Sequence, residues 1–263
     1  MLLDLLIWWL TAQAFGLAGL PLTLFLFRAL PDRGYAFGKT LGLLLAGYLA
    51  WLLAMLGLAP FGRGLVLVCA VTVAAIGLLV NQAQAPSPKP QAPSLAPQTS
   101  GAPGDALASR LAALRGWLAQ HWRMVLAYEA IFALALVALA ILRSYDYQIL
   151  ISPNPWGTER PMDYALFNAI RRSTSFPPHD PWLAGYSINY YYFGYLLMAM
   201  VSLASGVGWG AAYNLSLALV FALTALGVAG IIWNLIALTV GDQRRKTKDQ
   251  DLDGRTRVGP WSL

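Results

Sequence analysis

Charge is scarce in this chain. Lysine, arginine, aspartate and glutamate make up only 11% of its 263 residues, against roughly 25% in an ordinary soluble domain. So few charges cannot solvate a surface of this size, and much of that surface is expected to face lipid. Cysteine is scarcer still. Cys69 stands alone inside an apolar segment, which excludes a disulfide within the chain and a cysteine-based zinc site. His121 and His179 are the two histidines, and neither belongs to a His/Asp/Glu cluster of metal-ligand spacing. No glycine-rich phosphate cradle and no G-x-S-x-G elbow occurs, so an ATPase or a serine hydrolase finds no support.

Hydrophobic residues supply 58% of the chain, and the net charge is +6. The basic residues sit in loops and at the end of the sequence. Their simplest partner is an anionic membrane surface, not nucleic acid. A spanning helix needs about 20 apolar residues. Leu2–Phe27, Gly38–Ala59, Leu65–Val80, Val125–Leu142, Ile188–Ser205 and Ala211–Val240 meet or approach that length. The expectation is an all-α, polytopic transmembrane protein with about six spans and one large extracytoplasmic loop carrying a juxtamembrane helix. The last stretch has 30 residues and no charge. It is long for one span and short for two, and Gly227 and Gly230 offer a bend that would make seven. The first segment lacks a basic leader and reads as a retained helix rather than a signal peptide.

Residues 1–80 form an N-terminal three-helix membrane region. Residues 81–105 are rich in Pro, Ala and Gln and read as a disordered linker. Residues 106–122 read as an amphipathic surface helix, with Leu107, Leu111, Leu114 and Leu118 on one face. A second membrane region covers 123–240, with its loop at 144–187, and a basic tail covers 241–263. Glu129 lies inside a span, and is read as structural because it sits near the span's end.

Arg28, Arg33 and Lys39 follow the first span, and Lys89, Arg110, Arg115 and Arg123 precede the fourth. The positive-inside rule places both groups in the cytoplasm and the 144–187 loop outside. The tail breaks this pattern. Arg244, Arg245, Lys246 and Lys248 also ask for the cytoplasm, yet six spans leave them outside. Either the last stretch is a hairpin, or the tail is a truncated loop.

The loop holds the candidate chemistry. Thr158 is placed to cap a helix with Glu159 and Pro161 in its first turn, and Met162, Leu166, Ala169 and Ile170 recur at helical spacing. Glu159 and Asp163 are four apart and share one face. Prolines 177, 178 and 181 end that helix around Asp180. Trp182, Tyr186, Asn189 and the run Tyr190, Tyr191, Tyr192, with Tyr195 beyond, lead into the next apolar segment. Plainer roles exist for each. Tyrosines gather at membrane boundaries, an aspartate between prolines shapes a turn, and Glu159 and Asp163 suit a helix N-terminus or pair with Arg160 and Arg171.

The run MDYALFNAIRRSTSFPPHDPWLAGYSINYYYFGYLL resembles the signature of the YYY-domain multi-pass membrane proteins of Chloroflexi and archaea. The acid helix, P-P-x-D-P-W and G-x-x-x-N-Y-Y-Y-F-G-Y occur in that family's order, and the resemblance covers roughly residues 145–238. Its members are longer, so the chain resembles an N-terminal part of one. The family is in turn similar to GT-C glycosyltransferases, which use lipid-linked sugars. The resemblance places Asp163 where their catalytic acid falls and Asp180 in the following turn. The adjacent acid pair usual there is absent, since Tyr164 follows Asp163 and the nearest second acid is Glu159.

What this resemblance implies is sugar transfer from a polyprenyl-phosphate donor in the plasma membrane of a prokaryote. Asp163 and Glu159 are the candidate catalytic acids, with a divalent cation as a possible helper. Arg171 or Arg172 would neutralise the leaving phosphate. Asp180, Trp182, Asn189, Tyr190, Tyr191, Tyr192 and Tyr195 would bind substrate. The alternatives are a lipid-linked glycan transporter or flippase subunit, which needs no catalytic acid, and a non-catalytic membrane scaffold.

Overall fold

The computed structural model describes residues 2–80, 103–148 and 159–257, with the backbone alone at 103–107, 109, 110, 242 and 244–257. Among these residues there are eight α-helices: α1 (Leu2–Leu26), α2 (Gly38–Met55), α3 (Arg63–Val80), α4 (Pro103–Gln120), α5 (Trp122–Tyr145), α6 (Arg160–Arg172), α7 (Phe193–Ser205) and α8 (Trp209–Arg257). A single 3-10 turn, Tyr35–Phe37, leads into α2. Five helical segments are long and apolar enough to cross a membrane: α1, Tyr35–Met55, α3, α5 and the Trp209–Gly241 part of α8. The protein is an all-helical integral membrane protein.

In lipid, burying apolar surface does not by itself bring helices together, so close packing and polar contacts must hold them. Small residues do this for α1 and α2. A Cβ on Gly42 would collide with the carbonyl oxygen of Phe15, and one on Gly19 would meet Gly38 and Gly42 backbone. The two helices therefore touch backbone to backbone. Gly77 of α3 likewise meets the backbone of Leu22 beside the in-helix Pro21. The turn between α1 and α2 is closed by Asp32. Its Oδ1 accepts the Gly34 N–H at 2.8 Å, and Gly34 takes the left-handed conformation (φ 74°) that glycine tolerates without strain.

The bundle has two distinguishable ends. At one end the start of α1, the end of α5, α6 and the start of α8 come together around one cleft. The α2–α3 connection joins them there, through a Phe61 N–H to Thr174 carbonyl bond of 2.7 Å. The opposite end holds the α1–α2 turn and the end of α4, where Tyr35 stacks on Trp117.

Three expectations need correction. The Ile188–Ser205 segment is not a span. Its helix, α7, has 13 residues, about 20 Å at 1.5 Å per residue, whereas the hydrocarbon core is about 30 Å thick. Both ends of α7 lie at the α6 end of the bundle. Tyr192, just before it, accepts a hydrogen bond from Trp51 near the end of α2. Val207, just after it, accepts one from Arg171 of α6. Leu196, Ala199, Met200 and Val201 are buried, so α7 dips into the bundle and returns. Second, the 211–240 stretch is not a hairpin but part of one continuous helix, in which Gly230 sits against Ala36. With five crossings, α8 carries the tail to the same end as Arg28, Arg33, Arg115 and Arg123. The conflict between loop and tail charges disappears.

Third, the amphipathic segment begins earlier than expected, at Pro103, so residues 103–105 belong to α4 and not to the linker. Its far boundary is a break at His121. The remaining linker residues, 81–102, and Thr158, the expected cap, lie outside the described residues.

Candidate functional site

The centre of the site is α6. Among the elements described it has the most strongly one-sided distribution of apolar residues, as a helix lying along a surface should. Leu166, Phe167 and Ile170 are buried, and Met162 and Ala169 pack against that core. Pro161 occupies the first turn, where a missing N–H costs nothing. Glu159 takes the cap position but makes no side-chain cap bond and is exposed.

The Asp163 carboxylate points at the tyrosines. Its Oδ1 accepts the Tyr195 hydroxyl at 2.5 Å, a charge-assisted contact from α7. Burial, and then that bond, raise the Tyr195 phenol well above its usual range, so it stays a proton donor. Tyr213 of α8 faces the same carboxylate and meets Tyr164 edge-on at 5.5 Å.

The tyrosine triplet divides. Tyr190 and Tyr191 are exposed, stacked at 4.0 Å between ring centroids, and Tyr190 donates to the Tyr191 hydroxyl at 2.7 Å. That bond pushes the Tyr190 phenol to about 12, and both Glu159 and Asp163 add to the rise. Tyr192 turns inward. It accepts the Trp51 indole N–H at 3.0 Å and stacks on Phe176 at 5.9 Å, so its contacts are structural. Glu159, Asp163, Tyr190, Tyr191 and Tyr195 thus form one cluster of two carboxylates and three phenols.

The other nominated residues lie elsewhere. Asp180 accepts the backbone N–H groups of Trp182 (2.8 Å) and Leu183 (3.0 Å) through Oδ1, which is a turn-forming arrangement. It borders a separate, open cleft of about 500 Å³ with Asn168, Arg172 and His179. On a helix with 100° per residue, Arg172 lies opposite Asp163. Trp182 and Asn189 are exposed. Arg171 and Arg172 stack over Trp209 at 5.1 and 4.2 Å, about 12 Å along α6 from Asp163. Burial lowers the Arg171 pKa, though not enough to remove its charge. Among the described residues no three His, Cys, Asp or Glu side chains gather to hold a metal ion, and Asp163 joins no ion pair.

A larger feature was not legible in the sequence. An apolar groove of about 700 Å³ opens at the α6 end between α1, α5 and α8. Leu2, Leu5, Val137, Ala140, Ile141 and Leu215 line its length, and Tyr164, the neighbour of Asp163, closes it toward α6. Arg143 stands at its polar mouth. Nη2 and Nε of Arg143 donate to Asn214 Oδ1 at 2.6 and 3.0 Å, and Nη1 donates to Asp146 at 3.2 Å. Asp146 also accepts Arg160 at 2.7 Å. Hydrogen bonds from Arg160 first, aided by both arginine charges, hold the Asp146 carboxyl below its usual value. Arg160 is thereby committed to Asp146, not to Glu159 or Asp163. Arg143 and Asn214 are 71 residues apart, so only the fold brings them together.

The chain matches the family described as uncharacterized membrane protein (DUF2298) over residues 45–257, and it belongs to that family. No curated protein and no solved structure was found to match it.

Proposed function

We propose that this member of an uncharacterized membrane-protein family is a glycosyltransferase of the GT-C kind, taking its sugar from a polyprenyl-phosphate donor. One juxtaposition carries the reading. Tyr164 lines an apolar groove between α1, α5 and α8, and the adjacent residue, Asp163, faces a cluster of phenols. A lipid chain in that groove brings its phosphate to Arg143 and its sugar to α6. The sequence likeness to YYY-domain proteins supports the same reading.

In the reaction the acceptor hydroxyl oxygen attacks the anomeric carbon. The bond from that carbon to the phosphate oxygen breaks, and polyprenyl phosphate leaves with the electron pair. The hydroxyl proton passes to the Asp163 carboxylate acting as general base. Tyr195 fixes the rotamer of that carboxylate, and Tyr190 and Tyr191 offer ring faces on which a sugar stacks. Arg143 at the mouth of the groove counters the phosphate charge. The basic end of the bundle faces the cytoplasm by the positive-inside rule, which puts α6 at the outer face of a prokaryotic plasma membrane.

Binding of labelled polyprenyl phosphate to the purified chain tests the groove. Ala140→Trp fills it, and is expected to weaken binding at least about tenfold, the cost of excluding two or more methylene-sized contacts. Unchanged affinity in that variant removes the groove from the account.

A further inference from the structure

Far from α6, near the basic end of the bundle, a second polar cluster lies inside the membrane-spanning region. Glu129 of α5 is its hub. Its Oε1 accepts Lys39 Nζ at 2.5 Å and the Tyr35 hydroxyl at 2.8 Å, and its Oε2 accepts Gln13 Nε2 at 2.7 Å. The Lys39 side chain is 7% exposed and its ammonium also lies over the Phe132 ring at 4.9 Å. Beside it, Asp32 is fully buried. Asp32 accepts the Tyr128 hydroxyl at 3.1 Å, and its N–H donates to Asn234 of α8 at 3.2 Å. The Tyr35 and Tyr128 rings stack at 6.0 Å, joining the two carboxylates into one network.

The membership of this network is divided. Gln13, Asp32, Tyr35 and Lys39 come from α1, α2 and the turn between them. Tyr128, Glu129 and Asn234 come from α5 and α8. Helices α1, α2 and α3 pack closely on one another, and α5 packs closely along α8. Backbone packing between the two units runs through α7, which sits against α1, α2 and α3, and through Gly230 of α8 against Ala36. Close approach between α5 and the first three helices is sparse, and long polar side chains span that part of the boundary. Between helices in lipid such contacts are the available glue, and a buried charge left alone there is costly.

We propose that the Lys39–Glu129 pair, with Asp32 and Tyr128 beside it, is the docking lock that holds the N-terminal three-helix unit on the α5–α8 unit. Residues 2–80 act as a subunit held in cis, and the lock supplies the polar tie that its apolar packing against α7 and α8 needs in order to hold. The apolar groove lies along the same boundary at the other end, between α1 on one side and α5 and α8 on the other. None of this depends on the glycosyltransferase reading.

The test uses the full chain, with a protease site inserted between residues 81 and 102 and an affinity tag at the C-terminus. After cleavage in mild detergent, the N-terminal fragment is expected to remain on the tagged unit. Lys39→Met leaves the Glu129 carboxylate without its cation, and Glu129→Leu does the converse to Lys39. Each alone is expected to lower recovery of the fragment at least about tenfold. The double variant, Lys39→Met with Glu129→Leu, leaves no stranded charge and is expected to return recovery to within about threefold of the parent. A parent that separates on cleavage overturns the proposal. So do single variants that retain the fragment like the parent, or a double variant no better than the singles.

Discussion

Asp163→Asn is expected to lower sugar transfer by about 100- to 10,000-fold, the usual worth of a general base, while the amount of protein in the membrane stays the same. The substitution isolates chemistry from folding. Asparagine keeps an oxygen that accepts the Tyr195 hydroxyl, so the contact between α6 and α7 survives and only basicity is lost. Glu159→Gln is expected to cost about tenfold or less, because Glu159 is exposed and reaches the cluster only through its charge on Tyr190. Binding of the lipid donor should be retained in both variants. Transfer by Asp163→Asn within a few-fold of the parent ends the assignment of Asp163 as base. Loss of binding together with transfer would make Asp163 a donor-binding group and not the base.

Gly42→Ala is expected to be the most damaging single-methyl addition in the bundle. The new Cβ meets the Phe15 carbonyl on one side and the Gly19 amide on another. Both are backbone atoms, so no side chain can swing away, and α1 and α2 must separate along their length. Phe15, Leu43 and Ala46, all buried, then lose contacts. Overpacking of this kind costs about 1–3 kcal/mol and sometimes more. Gly227→Ala is the contrast. Nothing lies within 4 Å of a Cβ there, and alanine has the higher helix propensity by about 1 kcal/mol. Thermal unfolding of the solubilised protein should show a clear fall for Gly42→Ala and no fall for Gly227→Ala. Equal transitions in the two variants contradict the backbone contact between α1 and α2.

Much of the architecture was legible in residue order, because long apolar runs in a charge-poor chain have few alternatives to spanning helices. The α6 helix was legible too. Leu166 and Ile170 recur at its spacing and are buried, and the charges of Glu159 and Asp163 both act on Tyr190. What failed was the reading of residues 188–205 as a span. Composition cannot show that residues 188–192 are spent on a non-helical approach to α7, or that the remaining 13-residue helix docks against α1, α2, α3 and α6. Only packing reveals that. The separation of Tyr192 from Tyr190 and Tyr191 is likewise tertiary, set by Trp51 and Phe176. The groove was invisible because its walls are drawn from four separate segments. The G-x-x-x-G at Gly38–Gly42 was a usable signal for the tight α1–α2 contact. Glu129 shows the reverse. Its place near a span end suggested easy access to the surface, but the structure gives it Lys39, Tyr35 and Gln13 as partners.

Because α7 turns back, the α6 cluster and the basic tail lie on opposite faces of the membrane. Cysteine labelling with a membrane-impermeant reagent tests this directly, in a chain whose buried Cys69 is replaced by alanine. One variant carries Ala184→Cys in the exposed turn after Asp180, and the other Gln243→Cys beyond the apolar part of α8. Five crossings predict that Ala184→Cys labels in intact cells, whereas Gln243→Cys labels only after the cytoplasmic face is opened. Labelling of both positions from the same face would mean that α7 crosses, and would contradict the arrangement described.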